Sequence, residues 1–228
     1  MHTVSLLGSS KVLTVGKILC VGRNYATHVK EMKADVPTAP VLFLKPATAL
    51  VRSGGVIEIP TISTDIHHEV EMTVLVGRSG KRIPAGQALA HVAGYGVGLD
   101  MTLRDVQAEA KKQGLPWTLA KAFDTSAPVS EFVPAERVPD AARLSVQLFV
   151  NGELRQKGWT GDFIFRLEDL ISYASNFFSL EPGDVLFTGT PEGVGPVKPR
   201  DELRAELVDA RGTVLTSLTV TVGGTPPS

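Results

Sequence analysis

The chain has 228 residues, of which 43% are hydrophobic and 21% charged, and its formal net charge is −1. That much apolar material can build a core, so a disordered chain is excluded, and the length fits one large domain or two small ones. There is no basic surplus to hold a phosphate backbone and no apolar run long enough to span a bilayer, so neither nucleic acid nor membrane is an expected partner.

Residues 1–15 read as an N-terminal arm, and residues 16–228 as a single domain with a short proline tail before Ser228. The start, Met1 to Gly8, has no basic stretch or cleavage pattern, so no signal peptide is expected. Lys17-Ile-Leu-Cys-Val21 reads as a strand. It carries Cys20, the only cysteine, which excludes an internal disulfide and a thiolate metal site. A reducing cytoplasm is compatible with this and is the expected location. Asn24 to Lys33 is a weaker helix candidate. Val41 to Leu44 and Val56 to Ile59 are short strands, the second stopped by Pro60. Glu69-Val-Glu-Met-Thr-Val-Leu-Val76 alternates and then turns wholly apolar, as a strand does that runs from a polar cleft into a core. The glycines of Ala93-Gly-Tyr-Gly-Val-Gly98 are not a dinucleotide fingerprint and suit close strand packing.

Thr102 to Gln113 reads as a helix with Thr102 as N-cap and Asp105 in a capping box, ended by Gly114 and Pro116. Lys121 sits in an apolar stretch read as a strand. Leu144 to Val150, then Asn151-Gly152, then Glu153 onward reads as a type I′ hairpin. Leu167, Leu170, Ile171, Ala174 and Phe178 mark the buried face of a second helix. Asp184 to Thr188, Glu202 to Val208 and Val214 to Val222 complete the strands. Many strands with few helices, and no regular βα alternation, predict an α+β, β-rich domain rather than a TIM barrel or Rossmann fold.

The chemistry concentrates in three places. Glu69 and Glu71 are two apart on a strand and share a face, so their repulsion calls for a cation or a shared proton. Asp100, before a helix, could add a third carboxylate. Oxygen-only ligation of this kind suits Mg²⁺, Mn²⁺ or Ca²⁺ rather than zinc. The plain alternative is that the glutamates line the wet face of an edge strand. His67 and His68 point opposite ways and cannot both join them. His28 and Glu31 are three apart on a candidate helix, either as a base with its orienting carboxylate or as an exposed surface pair. Arg104 and Gln107 share a helix face near Asp100. Lys121 is either functional or a lysine reaching out from a strand edge. The loop Phe187-Thr-Gly-Thr-Pro-Glu-Gly-Val-Gly195 offers backbone N–H groups and the hydroxyls of Thr188 and Thr190 to a ligand carboxylate, or is a tight turn.

Six stretches taken in order resemble the fumarylacetoacetate hydrolase family. They are Cys-Val-Gly-Arg-Asn-Tyr-Ala-Thr-His (20–28), Pro-Val-Leu-Phe-Leu-Lys-Pro (40–46), His-His-Glu-Val-Glu (67–71), Gly-Tyr-Gly-Val-Gly-Leu-Asp-Met-Thr-Leu-Arg-Asp-Val-Gln (94–107), Leu-Pro-Trp-Thr-Leu-Ala-Lys-Ala-Phe-Asp (115–124) and Leu-Phe-Thr-Gly-Thr-Pro-Glu-Gly-Val-Gly-Pro-Val (186–197). The likeness runs from about Lys17 to Val222 and is to small acylpyruvase-type members. It implies a mixed β-roll or sandwich with peripheral helices, and a homodimer. It implies Mg²⁺ or Mn²⁺ on Glu69, Glu71 and Asp100, and a base dyad of His28 and Glu31 on a lid. It places Lys121 among the catalytic residues and Arg23, Lys45, Arg104, Gln107 and Thr190 against a small 2-oxo acid substrate. The implied activity is metal-dependent cleavage of 3-acylpyruvates to pyruvate and a carboxylic acid. The alternative is decarboxylation of oxaloacetate, or decarboxylation or isomerisation of hydroxylated 2-oxo acids. Lys157 to Asp162, with Trp159 and Gly161, departs from the pattern and is expected to border the pocket. The chain lacks the large N-terminal domain of true fumarylacetoacetate hydrolases, so fumarylacetoacetate is not the expected substrate.

Overall fold

The computed structural model describes residues 2–224; the tail before Ser228 lies outside the described residues. The architecture is the β-rich α+β roll expected. A mixed sheet runs in the order Val41–Pro46, Lys17–Gly22, Val185–Phe187, Val70–Val76, Val92–Leu99, Ala127–Val129, Leu50–Arg52, with Val133–Pro134 also paired to Val92–Leu99. A second sheet runs Glu153–Trp159, Ser145–Val150, Glu202–Val208, Val214–Val222, Val56–Ile57. A small third sheet joins Thr102–Leu103, Ile66–His68 and Gly195–Pro196.

The central strand Val70–Val76 is buried along its whole length. Period-two alternation sorts its residues: Val70, Met72, Val74 and Val76 join the core shared with the second sheet. Leu75 joins the smaller core on the opposite face with Ile18, Cys20, Val129, Phe132 and Phe187. Residues Thr3–Ser5 and Val12–Thr14 pair as a hairpin, and Val4 and Val15 pack into that smaller core. Burial holds the Cys20 thiol well above its ordinary pKa, so it is a packing group. The glycines of the neighbouring strand permit close packing: a Cβ on Gly98 would come within 2.8 Å of Phe187, and one on Gly94 within 2.6 Å of the Val133 carbonyl oxygen.

Among the described residues, four α-helices lie on the periphery: α1 (Ala26–Glu31), α2 (Arg104–Gln113), α3 (Thr118–Lys121) and α4 (Leu167–Phe177). Helix α4 buries Leu167, Leu170, Ile171 and Ala174, the stripe its periodicity predicts. Helix α2 ends on Gly114 at φ 68°, a left-handed C-cap. Its start differs from expectation. Thr102 belongs to a short strand paired with His67, and its hydroxyl donates to the Asp100 carbonyl at 3.0 Å. Asp105 instead accepts from the Ser63 hydroxyl and the Thr64 N–H, fixing the helix to the 60s loop. Asn151 and Gly152 both have positive φ, 51° and 84°, as a type I′ hairpin turn requires. Among the described residues, no helix is long and apolar enough to cross a membrane.

Candidate active site

The acidic cluster is assembled by strand register. Val70 pairs with Leu99 and Glu71 with Gly98. The Asp100 N–H donates to the Glu69 carbonyl at 2.8 Å, so Asp100 lies opposite Glu69. Glu69, Glu71 and Asp100 are all buried, and one carboxylate oxygen from each lies within 4.8 Å of the others. The strand that carries Glu71 is central in its sheet, so the wet edge-strand alternative fails. His67 and His68 stand apart from the cluster: His67 pairs with Asp65 at 2.9 Å and His68 with Gln156 at 2.9 Å.

Cations surround the carboxylates. The Lys121 ammonium donates to Glu69 Oε2 at 2.7 Å and to Asp100 Oδ2 at 2.6 Å. Lys121 ends helix α3 rather than sitting in a strand, because residues 118–121 close helical bonds on Trp117 and Thr118. Arg104 Nη2 donates to Glu69 Oε1 at 2.5 Å, and Nη1 to Gln107 Oε1 at 2.8 Å, the shared helix face expected. Lys45 is displaced from its expected place against substrate. It is 1% exposed, and its ammonium lies 2.9 Å from Asp100 Oδ1 and donates to the Ser126 carbonyl at 3.0 Å and to the Lys121 carbonyl. It therefore braces Asp100 without lining the cavity and ties α3 to the sheet.

These contacts separate the two glutamates electrostatically. Burial alone would raise the Glu69 carboxyl, but Lys121 and Arg104 outweigh it and hold Glu69 well below the usual range. Glu71 goes the other way. Burial first, then Asp100 and Glu69, push its carboxyl well above the usual range. Among the described residues it has no Lys or Arg within 4.0 Å, and its hydrogen bond comes from the Gly189 N–H at 2.7 Å. Lys121 is raised, since Asp100 and Glu69 outweigh the opposing effect of burial. Three convergent buried carboxylates, one without a cation against it, offer only hard oxygen donors. They fit a divalent ion such as Mg²⁺ or Mn²⁺, with Glu69, Glu71 and Asp100 as its holders.

On helix α1, His28 Nδ1 and Glu31 Oε2 are 3.1 Å apart. His28 is buried, whereas the surface-pair alternative requires it exposed. A carboxylate only accepts, so Nδ1 carries a proton, and in the neutral ring Nε2 keeps its lone pair. The other Glu31 oxygen accepts the Gly193 N–H at 3.0 Å. The loop 187–195 therefore holds two of the chain's own carboxylates, Glu71 through Gly189 and Glu31 through Gly193. The Thr188 hydroxyl is used within the sheet, donating to the Met72 carbonyl at 2.8 Å.

One cavity of about 330 Å³ gathers Arg23, His28, Glu69, Glu71, Asp100, Arg104, Gln107, Lys121 and Thr190. Trp117 and Lys111 also line it, with the Lys111 ammonium 5.2 Å from the indole centroid. Arg23 adopts φ 62°, an uncommon backbone state for a residue with a Cβ. The stretch Lys157 to Asp162 does not border this cavity. Lys157, Gly158, Trp159 and Asp162 line a separate recess beside Tyr25, and Gly161 a third, because the edge strand carries them past the far side of the 187–195 loop. The sequence reading missed Asn24. Its Nδ2 donates to the Thr188 carbonyl at 2.8 Å and its Oδ1 accepts the Phe165 N–H at 2.8 Å, locking the segment before α1 to the loop. The signal was only an asparagine between two functional residues.

Residues 17–223 match the family model described as fumarylacetoacetate (FAA) hydrolase C-terminal. The chain is 55% identical over 188 residues to the mitochondrial oxaloacetate tautomerase FAHD1 of Mus musculus, covering 82% of this chain and 85% of that protein. It is 50% identical over 190 residues to the oxaloacetate tautomerase YcgM of Escherichia coli (strain K12), covering 83% and 87% respectively. Among solved structures, it is similar to fumarylpyruvate hydrolase from Pseudomonas aeruginosa in complex with Mn²⁺ and pyruvate. That likeness has a TM-score of 0.90 at 39% identity, covering 97% of this chain and 95% of that one.

Proposed function

Since the chain belongs to the fumarylacetoacetate hydrolase family, we propose that it is a divalent-metal-dependent enzyme that interconverts the keto and enol forms of oxaloacetate. The observation that carries this is the sharing of one cavity by the acidic triad Glu69–Glu71–Asp100 and His28, whose ring Glu31 holds from behind. The relatives named for oxaloacetate tautomerisation, at 50% identity or more, support the choice of substrate.

A divalent ion held by Glu69, Glu71 and Asp100 would supply Lewis-acid polarisation of the 2-oxo group and charge to balance an enolate. His28 Nε2, with the ring held by Glu31, removes a proton from C3, and the C–H pair becomes the C2–C3 double bond. Charge then resides on O2, where Lys121 and Arg104 stabilise it; O2 takes a proton from solvent to give the enol, and His28 releases the C3 proton to solvent. Carboxylates and cations in the cluster are equal in number, Glu69, Glu71 and Asp100 against Lys45, Lys121 and Arg104. The ion then leaves the site net positive, which suits a dicarboxylate.

A second reading is hydrolysis of 3-acylpyruvates, favoured by the dyad and by the fumarylpyruvate hydrolase neighbour. There His28 takes a proton from water, hydroxide adds to the distal carbonyl, and the C3–C4 bond breaks. Its electron pair leaves as the pyruvate enolate, which takes up a proton. Both readings run through a 2-oxo acid enolate. They also carry a homodimer, which light scattering tests. The deciding experiment follows enol-oxaloacetate absorbance, pyruvate release from acetylpyruvate and fumarylpyruvate, and loss of CO₂ from oxaloacetate, in parallel, with and without Mg²⁺. Metal-dependent enol decay above the other rates supports the tautomerase. Faster pyruvate release from a diketo acid replaces it with the hydrolase.

A further inference from the structure

Gln156 has no role in the chemistry described so far, yet its side chain is a buried junction behind the cavity. It is the one buried residue of the edge strand Glu153–Trp159. The pairing explains why: Leu148 faces Gln156 and Phe149 faces Leu154, so Arg155 is an extra, bulged residue. Gln156 lies opposite the buried Leu148 and so shares its inward face, and the bulge beside it turns Leu154 outward. The loop 187–195 also rests on the bulge, since a Cβ on Gly193 would come within 2.5 Å of the Arg155 carbonyl oxygen.

The amide makes four hydrogen bonds and its orientation is fixed by two of them. Its Oε1 accepts the Val70 N–H at 3.0 Å, and an N–H can only donate. Its Nε2 donates to the Pro191 carbonyl at 3.0 Å, and a carbonyl can only accept. The amide therefore cannot be reversed. Oε1 then also accepts from His68 Nδ1 at 2.9 Å, and Nε2 must donate to Thr190 Oγ1 at 2.9 Å. A hydroxyl that accepts there keeps its own proton for another partner. Thr190 is 3% exposed and lines the cavity, and among the described residues no acceptor takes that proton.

We propose that Gln156 is a positioning residue that makes Thr190 an obligatory hydrogen-bond donor to the carboxylate of a 2-oxo acid. It acts from behind the cavity and touches no substrate. The inference rests on the 2-oxo acid reading of the cavity. It explains why a polar residue holds a buried place on a mostly exposed strand, and it makes the Thr190 end of the cavity selective for an acceptor.

The test is a double-mutant cycle on the Mn²⁺-loaded protein, with calorimetric Kd for pyruvate and with KM and kcat for oxaloacetate. Gln156→Glu reverses the bond: the Thr190 proton is drawn to the new carboxylate, and the cavity is left facing a lone pair. Affinity for pyruvate is expected to fall about tenfold or more, since hydrogen bonds to charged groups are the strong ones. KM is expected to rise with kcat within about threefold, and Thr190→Ser is expected to keep wild-type affinity. With Thr190→Val already present, Gln156→Glu should change Kd less than twofold, because its other effects, such as the lost Pro191 bond, are common to both backgrounds. Equal losses in both backgrounds, or no loss in the wild-type background, overturn the proposal. Gln156→Met removes the donor without adding charge and is run through the same cycle should Gln156→Glu fail to fold. If the wild type neither binds pyruvate nor acts on oxaloacetate, the functional reading falls and this inference with it. Binding by the wild type with an unresponsive cycle overturns the role of Gln156 alone.

Discussion

Replacing Glu71 by glutamine is expected to stabilise the metal-free protein and to abolish its response to metal. The amide keeps the carboxylate's shape, still accepts the Gly189 N–H, and turns an NH₂ donor toward Glu69 and Asp100. In the wild type the three carboxylate oxygens lie within 4.8 Å. Two charges at that separation repel by about 3.5 kcal/mol at an effective dielectric near 20. The alternative to repulsion is a bound proton. Keeping one at pH 7.5 on a carboxyl of ordinary pKa 4.5 costs at most about 4 kcal/mol, at about 1.4 kcal/mol per pH unit. Lys121 and the Gly189 bond reduce the penalty, leaving a gain for the variant of about 1–3 kcal/mol, or about 2–12 °C in Tm for a chain of this size. The sign with pH follows. With the Glu71 carboxyl raised, the folded wild type binds more protons than the unfolded chain between the two pKa values. Its stability is therefore intact below pH 4.5 and is lost as pH rises toward the raised folded pKa. The two melting curves should coincide near pH 4.5 and separate toward pH 7.5. Millimolar Mg²⁺ should then raise the wild type and not the variant, because an ion at 100 times its Kd adds about 2.7 kcal/mol to the wild type alone. The assay is thermal unfolding in chelator and in Mg²⁺ at both pH values. A variant less stable than wild type in chelator at pH 7.5, or one with a full Mg²⁺ shift, refutes the reasoning.

Three further outcomes follow from the same geometry. His28→Ala should lower acylpyruvate hydrolysis and enolisation by about 10²–10⁴-fold while keeping the Mg²⁺-induced Tm shift; decarboxylation of oxaloacetate, which needs no proton removal, should fall less, and equal losses in all assays would contradict the assigned base. Lys45→Met leaves Asp100 buried without its side-on cation and should cost about 3–5 kcal/mol, read as a lower urea midpoint at unchanged m-value. A loss under about 1 kcal/mol would mean that Lys121 alone satisfies Asp100. Gly189 has φ 98°, and a Cβ there would come within 2.6 Å of the Asn24 Cβ. Gly189→Ala should therefore destabilise by about 1–3 kcal/mol and weaken Mg²⁺ binding through the shifted Glu71 bond, checked by melting and calorimetry; unchanged binding would separate the loop from the metal holders.

The strands were legible because their signal is local. Alternation set the faces of Val70–Val76, and Asn151-Gly152 marked its hairpin. The acidic triad was half legible: Glu69 and Glu71 share a face by spacing, but Asp100 joins them only through sheet register, which no local pattern carries. The start of α2 was misread because Thr102 has the chemistry of a cap, and tertiary pairing with His67 recruited it to a strand instead. Lys121 was given the wrong element, since four residues of helix offer no periodicity to read. Lys45 was expected against substrate, whereas the structure buries it against Asp100, a tertiary pairing that no local pattern carries. Gln156 stayed hidden because it lies in a polar run that reads as exposed edge, and only its pairing opposite the buried Leu148 shows that it faces inward.

The central claim is that this cavity forms and protonates 2-oxo acid enolates, and proton exchange reads that step without cleavage of any bond to carbon other than C–H. Pyruvate would be incubated in D₂O with the Mg²⁺-loaded protein and its methyl signal followed by NMR, beside Glu71→Gln and His28→Ala. The account predicts metal-dependent loss of the methyl protons with the wild type, and none above background with either variant. A methyl group that keeps its protons while calorimetry shows pyruvate bound would contradict it.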